Sequence, residues 1–230
     1  MFDQLSKRRF LLAVIGTLMS LNMNAQNVIT ELQEYFYPKG EHSYVRTPNS
    51  GEQNMISTYE IYRGNTLKEI LTAKSGASLM KMKEMHSKFM IDENRKAVIS
   101  TFQIHQNPLT GVNRTTNHIT LFILPEDKVV NWKETENGEI SNCSAKFVYV
   151  SFVCNGKKVY HQAVRIEKAI PLSSSKFVKN WSYWVKGFGR LATYGYWGDP
   201  DEVSCIEKSV SISLDDPVVE ISEKEYNSMR

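Results

Sequence analysis

Apolar and polar residues alternate along much of the chain from Ala97 onward, and this period of two is the pattern of half-buried β-strands. It runs through segments rich in β-branched and aromatic residues: AVISTFQIH, HITLFIL, AKFVYVSFVC, KKVYHQAVRIEKAI and VSCIEKSVSISL. The dipeptides Asn137-Gly138 and Asn155-Gly156 fall between such segments. Both residues of an Asn-Gly pair tolerate the positive φ of a type I′ turn. This part of the chain is therefore predicted to form a series of antiparallel hairpins.

The chain before Ala97 mixes helical and extended patterns. NVITELQEYF has apolar residues at helical spacing and predicts a short helix, whereas MISTYEIYR is typical of a strand. TLKE (Thr66 to Glu69) matches a capping box, in which a hydroxyl and a carboxylate satisfy the backbone donors at a helix start. With Gly76 as its end, this pattern predicts a second helix. SLMKMKEMHSKFMI fits both periods, so we expect a helix that changes into a strand near Glu84.

Together these elements predict a mainly β (α+β) fold: one curved antiparallel sheet or half-barrel, with one or two short helices packed against it. Residues 26–230 are interpreted as a single β-rich domain with a short N-terminal helical region. Hydrophobic residues make up 41% of the sequence and aromatic residues 11%, which is enough for a substantial core. The segment DDPVVEISEKEYNSMR is predicted to be a mobile C-terminal tail or to pack at an edge.

Residues 1–25 have the features of a signal peptide. Lys7, Arg8 and Arg9 precede an apolar run from Phe10 to Leu21, and Ala25 is a small residue suited to cleavage before the next position. The apolar run is shorter than the roughly 20 residues of a membrane span. A signal anchor is the alternative interpretation. The pattern predicts an exported protein, periplasmic or extracellular, with no transmembrane segment in the mature chain.

Charge excludes one class of partner. The full chain has a formal net charge of +3, but residues 1–25 account for +2 of it and the remainder carries +1. No run of Lys or Arg remains after residue 25 of the kind that binds nucleic acid. A nucleic-acid partner is therefore not expected.

The order and pattern of these elements resemble those of a known protein family. TLKEILTAKSGASLMKMKEMHSKFMI (Thr66 to Ile91) resembles the opening of periplasmic half-barrel proteins of the lipoprotein-localisation-factor type, and YWVKGFG (Tyr183 to Gly189) is similar to their closing strand. This resemblance implies a curved sheet around an apolar cavity, plugged by helices, that carries acyl chains or other hydrophobic ligands. The chain lacks the lipid-attachment cysteine of anchored members, and no functional residue is carried over.

Metal binding and disulfide bonding have little support in the sequence. Three cysteines without a C-x-x-C pair allow one disulfide and one thiol, or no disulfide: Cys143, Cys154 and Cys205. His105 and His118 flank one loop and would approach each other across an antiparallel pair. Two ligands fall short of the three or four that a zinc site uses. No metal site and no cofactor are predicted.

Catalytic motifs are also missing from the sequence, which contains no Gly-x-Ser-x-Gly elbow and no phosphate-binding glycine loop before a helix. The acidic group that would serve a glycan-active hydrolase is Asp199, Asp201 and Glu202. Asp-Pro-Asp-Glu is also typical of a turn in which Asp side chains bind nearby backbone. No catalytic residue is predicted, and a non-enzymatic protein is favoured over an enzyme.

The aromatic stretch from Trp181 to Trp197 is the strongest candidate for binding. Treated as one strand, it has a face that we expect in the core: Trp181, Tyr183 and Val185. The opposite face alternates rings with cations and is the predicted ligand-binding set: Trp184, Lys186, Phe188 and Arg190. Rings of this kind stack on sugars or acyl chains. A cation–π ladder on the outer surface, with Lys and Arg stems covering the rings, is the alternative.

The sequence therefore favours an exported, non-enzymatic, β-rich protein that binds a hydrophobic or amphipathic small molecule or an envelope protein. Two alternatives remain. One is a glycan-active hydrolase that uses the acidic turn at residues 199–202. The other is an inhibitor or immunity module that shields a partner through the aromatic face.

Overall fold

The computed structural model describes residues 31–36, 41–46, 55–63, 66–75, 78–107, 111–115, 118–136, 139–171, 177–209, 212–214 and 217–229. Helix α1 comprises residues 31–36, within the helix expected from NVITELQEYF, and helix α2 comprises Glu223–Ser228. Neither described helix has the length and apolar character that a membrane span requires. The predicted signal peptide, residues 1–25, lies outside the described residues.

Fourteen β-strands account for most of the described chain. In chain order they are β1 (Glu41–Arg46), β2 (Met55–Arg63), β3 (Thr66–Ser75), β4 (Ser78–Asp92), β5 (Ala97–Asn107), β6 (Gly111–Thr115), β7 (Ile119–Ile123), β8 (Val130–Glu136), β9 (Glu139–Cys154), β10 (Lys157–Pro171), β11 (Phe177–Val185), β12 (Gly189–Trp197), β13 (Ser204–Ser209) and β14 (Val219–Ile221). The prediction of a mainly β protein with few short helices is confirmed.

Antiparallel ladders connect these strands into one continuous network. The order β9-β10-β11-β12-β13-β1-β2-β3-β4-β5 forms its body. At one edge β8 and β14 both pair with β9, and at the other edge β6 and β7 both pair with β5. The backbone N–H of Thr120 in β7 donates to Oε1 of the buried Glu134 in β8 at 3.0 Å. The two edges therefore approach each other, as the expected curvature of the sheet requires.

Asn155-Gly156 forms the turn expected from the sequence, since its φ values are +51° and +71°. The hairpin that it closes pairs Cys154 with Lys157 and continues to Asn142 opposite Ala169. The other dipeptide, Asn137-Gly138, lies outside the described residues, and Glu136 and Glu139 pair on either side of it. Within QNPLTGVNRTTN, expected to be a loop, the structure places strand β6.

The helix predicted from Thr66 to Gly76 is wrong, because residues Thr66–Ser75 form β3. Ile70 in its middle pairs with Tyr59 on one side and with Glu84 on the other. A cap contributes only about 1 kcal/mol to a helix start, whereas pairing on both edges gives most backbone groups of the segment a hydrogen-bond partner. The expected helix-to-strand change near Glu84 is also wrong, since all of Ser78–Asp92 is β4. Its Met-Lys-Met-Lys run is itself a period of two.

Buried residues form two separate clusters. The first core lies where α1 packs between β4, β5 and β7 on one side and β9, β10 and β11 on the other. Its largest members are Phe36, Phe89, Phe122 and Trp184. The second core lies on the other face of β9 to β12 and includes Phe152, Tyr183, Val185 and Leu191. Strand β11 contributes to both clusters because its successive side chains point to opposite faces.

The C-terminal segment, residues 212–229 where described, packs on the fold. Leu214 and Val218 are buried in the second core, and β14 pairs with the edge of β9. Ser222 caps the start of helix α2, and its Oγ accepts a hydrogen bond from the N–H of Glu225 at 3.2 Å. Its Tyr226 stacks on Tyr149 with ring centroids 4.5 Å apart. The sequence left two expectations for this segment, a mobile tail or packing at an edge. The described residues pack at an edge of the sheet.

Candidate functional site

The aromatic stretch is a β-hairpin rather than one strand. β11 ends at Val185, residues 186–188 turn, and β12 begins at Gly189. Gly187 and Gly189 have φ of +79° and +74°, a conformation that side chains with a Cβ rarely adopt. The N–H of Phe188 donates to the carbonyl of Val185 at 3.0 Å and closes the turn. The assumption of a single strand was wrong, so a period of two does not continue across these glycines.

Trp184, the first residue of the predicted ligand-binding set, lies in the first core and is 8% exposed. Its ring stacks on Phe36 of α1 with centroids 5.2 Å apart and contacts the edge of Phe122 at 5.6 Å. Its Nε1–H donates to Oγ of Ser182 at 2.7 Å. The ring is therefore a structural contact between sheet and helix and does not lie on an exposed face.

Lys186 is exposed and binds α1. Its Nζ lies 2.8 Å from Oε2 of Glu34, and the hydrogen bond to this carboxylate raises the pKa of the lysine. The N–H of Gly187 donates to the backbone carbonyl of Glu34 at 2.8 Å. The turn between β11 and β12 thus holds α1 through one side-chain and one backbone contact.

Phe188 and Arg190 point to different cores. Phe188 packs against the second core, where it contacts Phe152 and His161 with centroids 5.8 and 5.1 Å away. Arg190 forms an ion pair with Glu207 at 3.0 Å, and its Cζ lies 5.9 Å from the ring of Trp184. Trp184, Lys186, Phe188 and Arg190 therefore do not share one face, which corrects the geometry on which the binding set was predicted.

Of the three residues expected in the core, Tyr183 and Val185 are buried, and Trp181 is the exception. Tyr183 is 5% exposed and Val185 is fully buried. Burial, and then the neighbouring carboxylate of Glu220, raises the pKa of Tyr183 above its usual range. Trp181 is only half-buried, at the margin of the second core, with Cζ of Arg165 5.1 Å from its ring.

The histidine pair is not assembled by the sheet. His105 pairs with Asn113 of β6, whereas Ile119, which follows His118, pairs with Ser100. His118 therefore does not lie opposite His105. Among the described residues, no three His, Cys, Asp or Glu side chains are grouped to hold a metal ion.

The acidic group forms a local turn. Oδ1 of Asp199 accepts a hydrogen bond from the N–H of Asp201 at 2.9 Å, and its carbonyl accepts from the N–H of Glu202 at 3.2 Å. All three residues are exposed. This is the backbone-binding geometry that Asp adopts in turns.

All three cysteines lie in the described part of the chain, and each is a thiol rather than half of a disulfide. Cys143 is buried. Burial raises the pKa of its thiol to about 11, against the smaller lowering effect of Lys168. A thiol of this kind stays protonated at neutral pH, and the thiolate is the nucleophilic form. Cys143 therefore acts as a packed side chain.

A cleft with a charged rim opens next to the first core, where the two edges of the sheet approach. Its volume is about 430 Å³. The turn between β4 and β5 and the connection from β7 to β8 form its sides, and the residues lining it are Asn94, Arg95, Lys96, Ile123, Leu124, Glu126, Asp127, Lys128 and Val130. We call it the rim cleft. Ile123 and Leu124 are 2% and 4% exposed and belong to the first core.

Local hydrogen bonds hold the walls of the rim cleft. Lys96 has a φ of +46°, and its carbonyl accepts a hydrogen bond from the N–H of Leu124 at 2.9 Å. The N–H of Arg95 donates to Oδ1 of Asp92 at 3.1 Å. The Nζ of Lys96 forms an ion pair with Oε1 of Glu126 at 2.9 Å. The two contacts made by Lys96 therefore hold the β4–β5 turn and the β7–β8 connection together, so the cleft is preformed.

Among the residues that line the rim cleft, cations outnumber carboxylates by one. Arg95, Lys96 and Lys128 carry positive charge, while Glu126 and Asp127 carry negative charge. Glu126 pairs with Lys96, so the other charged residues that line the cleft are the exposed Arg95, Lys128 and Asp127. A cationic rim beside an apolar wall suits a ligand with an anionic group and a hydrocarbon part.

The sequence did not indicate the rim cleft. Its two walls come from residues 94–96 and 123–130, which are separated in the sequence by β5, β6 and β7. The pairing of β5 with β7, with Ala97 opposite Ile123, brings them together.

Comparison of the chain with protein-family models, with curated protein sequences and with solved structures yields no match.

Proposed function

We propose that the protein is an exported, non-enzymatic binding protein that holds a small amphipathic anion in the rim cleft. The observation that carries the proposal is that Arg95, Lys96 and Lys128 line one cleft together with the apolar residues Ile123, Leu124 and Val130. A cleft of about 430 Å³ is within the range of roughly 300–1,000 Å³ for small-molecule sites. The hydrocarbon part lies against the apolar lining residues, and the anionic group pairs with the cations of the cleft.

The proposal keeps the ligand class expected from the sequence but assigns it to different residues. Phe36, Phe122 and Trp184 pack with centroids 5.2 to 6.0 Å apart, so side chains fill this part of the interior. A ligand is therefore placed at the margin of the first core and not beneath α1.

Titration with three matched amphiphiles tests the proposal. Dodecanoate, dodecanol and dodecyltrimethylammonium share one chain and differ in head-group charge, and isothermal titration calorimetry reports their affinities. We expect dodecanoate to bind most tightly. Arg95→Glu with Lys128→Glu is expected to weaken dodecanoate at least tenfold, because each reversed surface charge changes the interaction by about 1 kcal/mol.

The matched control is Lys157→Glu, which reverses an exposed charge at the β9–β10 turn, away from the cleft residues. It is expected to leave dodecanoate affinity unchanged. Equal affinities for the three amphiphiles, or a loss of binding in Lys157→Glu as large as in the double variant, would overturn the proposal.

A further inference from the structure

A second depression, the face groove, crosses β8 to β12 on the sheet face that also carries the second core. Its volume is about 270 Å³, and the polar residues that line it are Asn131, Asn142, Ser144, Glu167, Lys179 and Tyr196. None of these residues lines the rim cleft. The two depressions are therefore separate sites on the molecule.

Strand register explains why these side chains meet. One row of paired residues crosses the sheet from Asn131 through Ser144, Glu167 and Trp181 to Tyr194. The neighbouring row runs through Asn142, Ala169, Lys179 and Tyr196. Directly paired residues on adjacent strands share a face. The sheet thus collects on one face polar groups that are up to 65 positions apart in the sequence.

The charges in the face groove are fixed and mutually neutralised. Oε1 of Glu167 lies 2.6 Å from Arg165, and its Oε2 lies 2.6 Å from Nζ of Lys179. Arg165 also pairs with Glu220 of β14. Among the residues that line the groove, the two charged side chains, Glu167 and Lys179, therefore neutralise each other.

Beyond this ion pair, the groove presents neutral hydrogen-bonding groups and an aromatic wall. Asn131 and Asn142 are exposed, and their amides carry both donors and acceptors. The ring of Tyr196 lies edge-on to Trp181 with centroids 6.4 Å apart, and Trp181 stacks on Tyr194 at 6.2 Å. Amides and hydroxyls next to rigid rings match a ligand that has hydroxyl groups around a compact apolar face.

We propose that the face groove binds an uncharged saccharide through Asn131, Asn142, Ser144 and Tyr196. Its volume of about 270 Å³ corresponds to roughly nine water molecules at about 30 Å³ each, which suits a single sugar ring. The ring hydroxyls bond to the two amides and Ser144, and the C–H face of the sugar lies against Tyr196.

A glycan array probed with the labelled full-length mature chain tests this proposal. Saturation-transfer NMR with free glucose, mannose, galactose, N-acetylglucosamine and galacturonate then measures single rings. We expect at least one neutral sugar to bind. Asn142→Ala and Tyr196→Ala are each expected to weaken it about fivefold or more, the effect of one net hydrogen bond or one stacking contact.

Two controls make the test specific. Asn227→Ala removes the same amide from an exposed position on α2, and Lys128→Glu changes the rim cleft; neither is expected to alter sugar affinity. Binding by no sugar, binding by galacturonate alone, or equal loss in Asn142→Ala and Asn227→Ala would overturn the proposal. Because dodecanoate titration reports the rim cleft separately, failure at one site leaves the result at the other intact.

Discussion

The phenolic oxygen of Tyr194 in β12 accepts a hydrogen bond from the backbone N–H of Val218 at 2.8 Å. Tyr183 on the neighbouring strand donates from its own hydroxyl to Oε1 of Glu220 at 2.9 Å. Leu214 and Val218 are buried beneath these contacts. Two tyrosines of the aromatic hairpin thus hold the C-terminal segment over the second core, so this segment is a structural part of the sheet.

Tyr194→Phe is expected to lower the free energy of unfolding by about 1–3 kcal/mol, because it leaves the buried N–H of Val218 without its acceptor. Urea denaturation followed by circular dichroism measures the change. Tyr160→Phe is the matched control, since it removes a hydroxyl from a half-buried tyrosine of β10 whose ring contacts Lys158. Equal stability of the two variants would show that the bond to Val218 does not hold the segment.

The buried tyrosines also make stability depend on alkaline pH. Burial raises the pKa of Tyr35 and of Tyr194 to about 12 from the ordinary value of 10.0. The unfolded chain therefore releases these phenolic protons first as the pH rises. Their contribution to stability is complete below pH 10 and is lost progressively between pH 10 and about 12.

We expect the free energy of unfolding of the wild type to fall more steeply from pH 10 to 11 than that of Tyr194→Phe. One titrating group contributes a slope of up to about 1.4 kcal/mol per pH unit. Urea denaturation at pH 8, 9, 10 and 11 measures both slopes. Parallel curves for the two proteins would contradict a raised pKa at Tyr194.

Leu214→Ala tests the second core directly. Leu214 is 3% exposed, so its truncation is expected to cost about 2–5 kcal/mol of stability. Val219→Ala is the control, since Val219 belongs to the same segment but is 50% exposed, and we expect a change below about 0.5 kcal/mol. Thermal or urea denaturation distinguishes the two. A small effect at both positions would mean that the segment is not packed on the sheet.

The hairpin part of the fold was predictable because its signals are local. Asn155 and Gly156 adopt the positive φ values that their residue types favour, and alternating strands flank them. The capping-box sequence starting at Thr66 is equally local, yet it lies in β3. Its strand state depends on partners such as Tyr59 and Glu84, which no local pattern reveals. Long-range pairing overrode a propensity of about 1 kcal/mol.

The positions of the candidate sites could not be predicted from the sequence. The sequence pattern of the aromatic stretch predicted one strand, but two glycines with positive φ interrupt its period of two. Beyond them, Phe188 packs on the second core while Trp184 lies in the first. The rim cleft and the face groove depend on sheet register across distant segments, which becomes known only when the pairing is known.

Gly195→Ala is expected to destabilise the protein by about 1–3 kcal/mol, the cost of overpacking. A Cβ at Gly195 would lie 2.7 Å from Cδ1 of Ile206 and 2.9 Å from the carbonyl oxygen of Lys179. Ile206→Val removes the first contact only. The double variant is therefore expected to recover part of the loss measured for Gly195→Ala by urea denaturation. No recovery would indicate that the backbone of Lys179 is the limiting contact.

Trp184→Ala separates the structural role of the tryptophan from the predicted binding role. Because its ring is 8% exposed and stacks on Phe36, we expect its removal to cost about 3–5 kcal/mol of stability. Lys186→Ala changes the next side chain of the predicted set, whose exposed ion pair with Glu34 contributes less than about 1 kcal/mol.

Urea denaturation of Trp184→Ala and Lys186→Ala, together with dodecanoate titration of both, tests these roles. We expect Trp184→Ala to be much less stable and Lys186→Ala to be near wild type in both stability and affinity, since neither residue lines the rim cleft. A stable Trp184→Ala protein that no longer binds dodecanoate would show that the tryptophan contacts ligand after all. Its ring would then have to leave the stack with Phe36 and Phe122, which requires α1 to move away from the sheet.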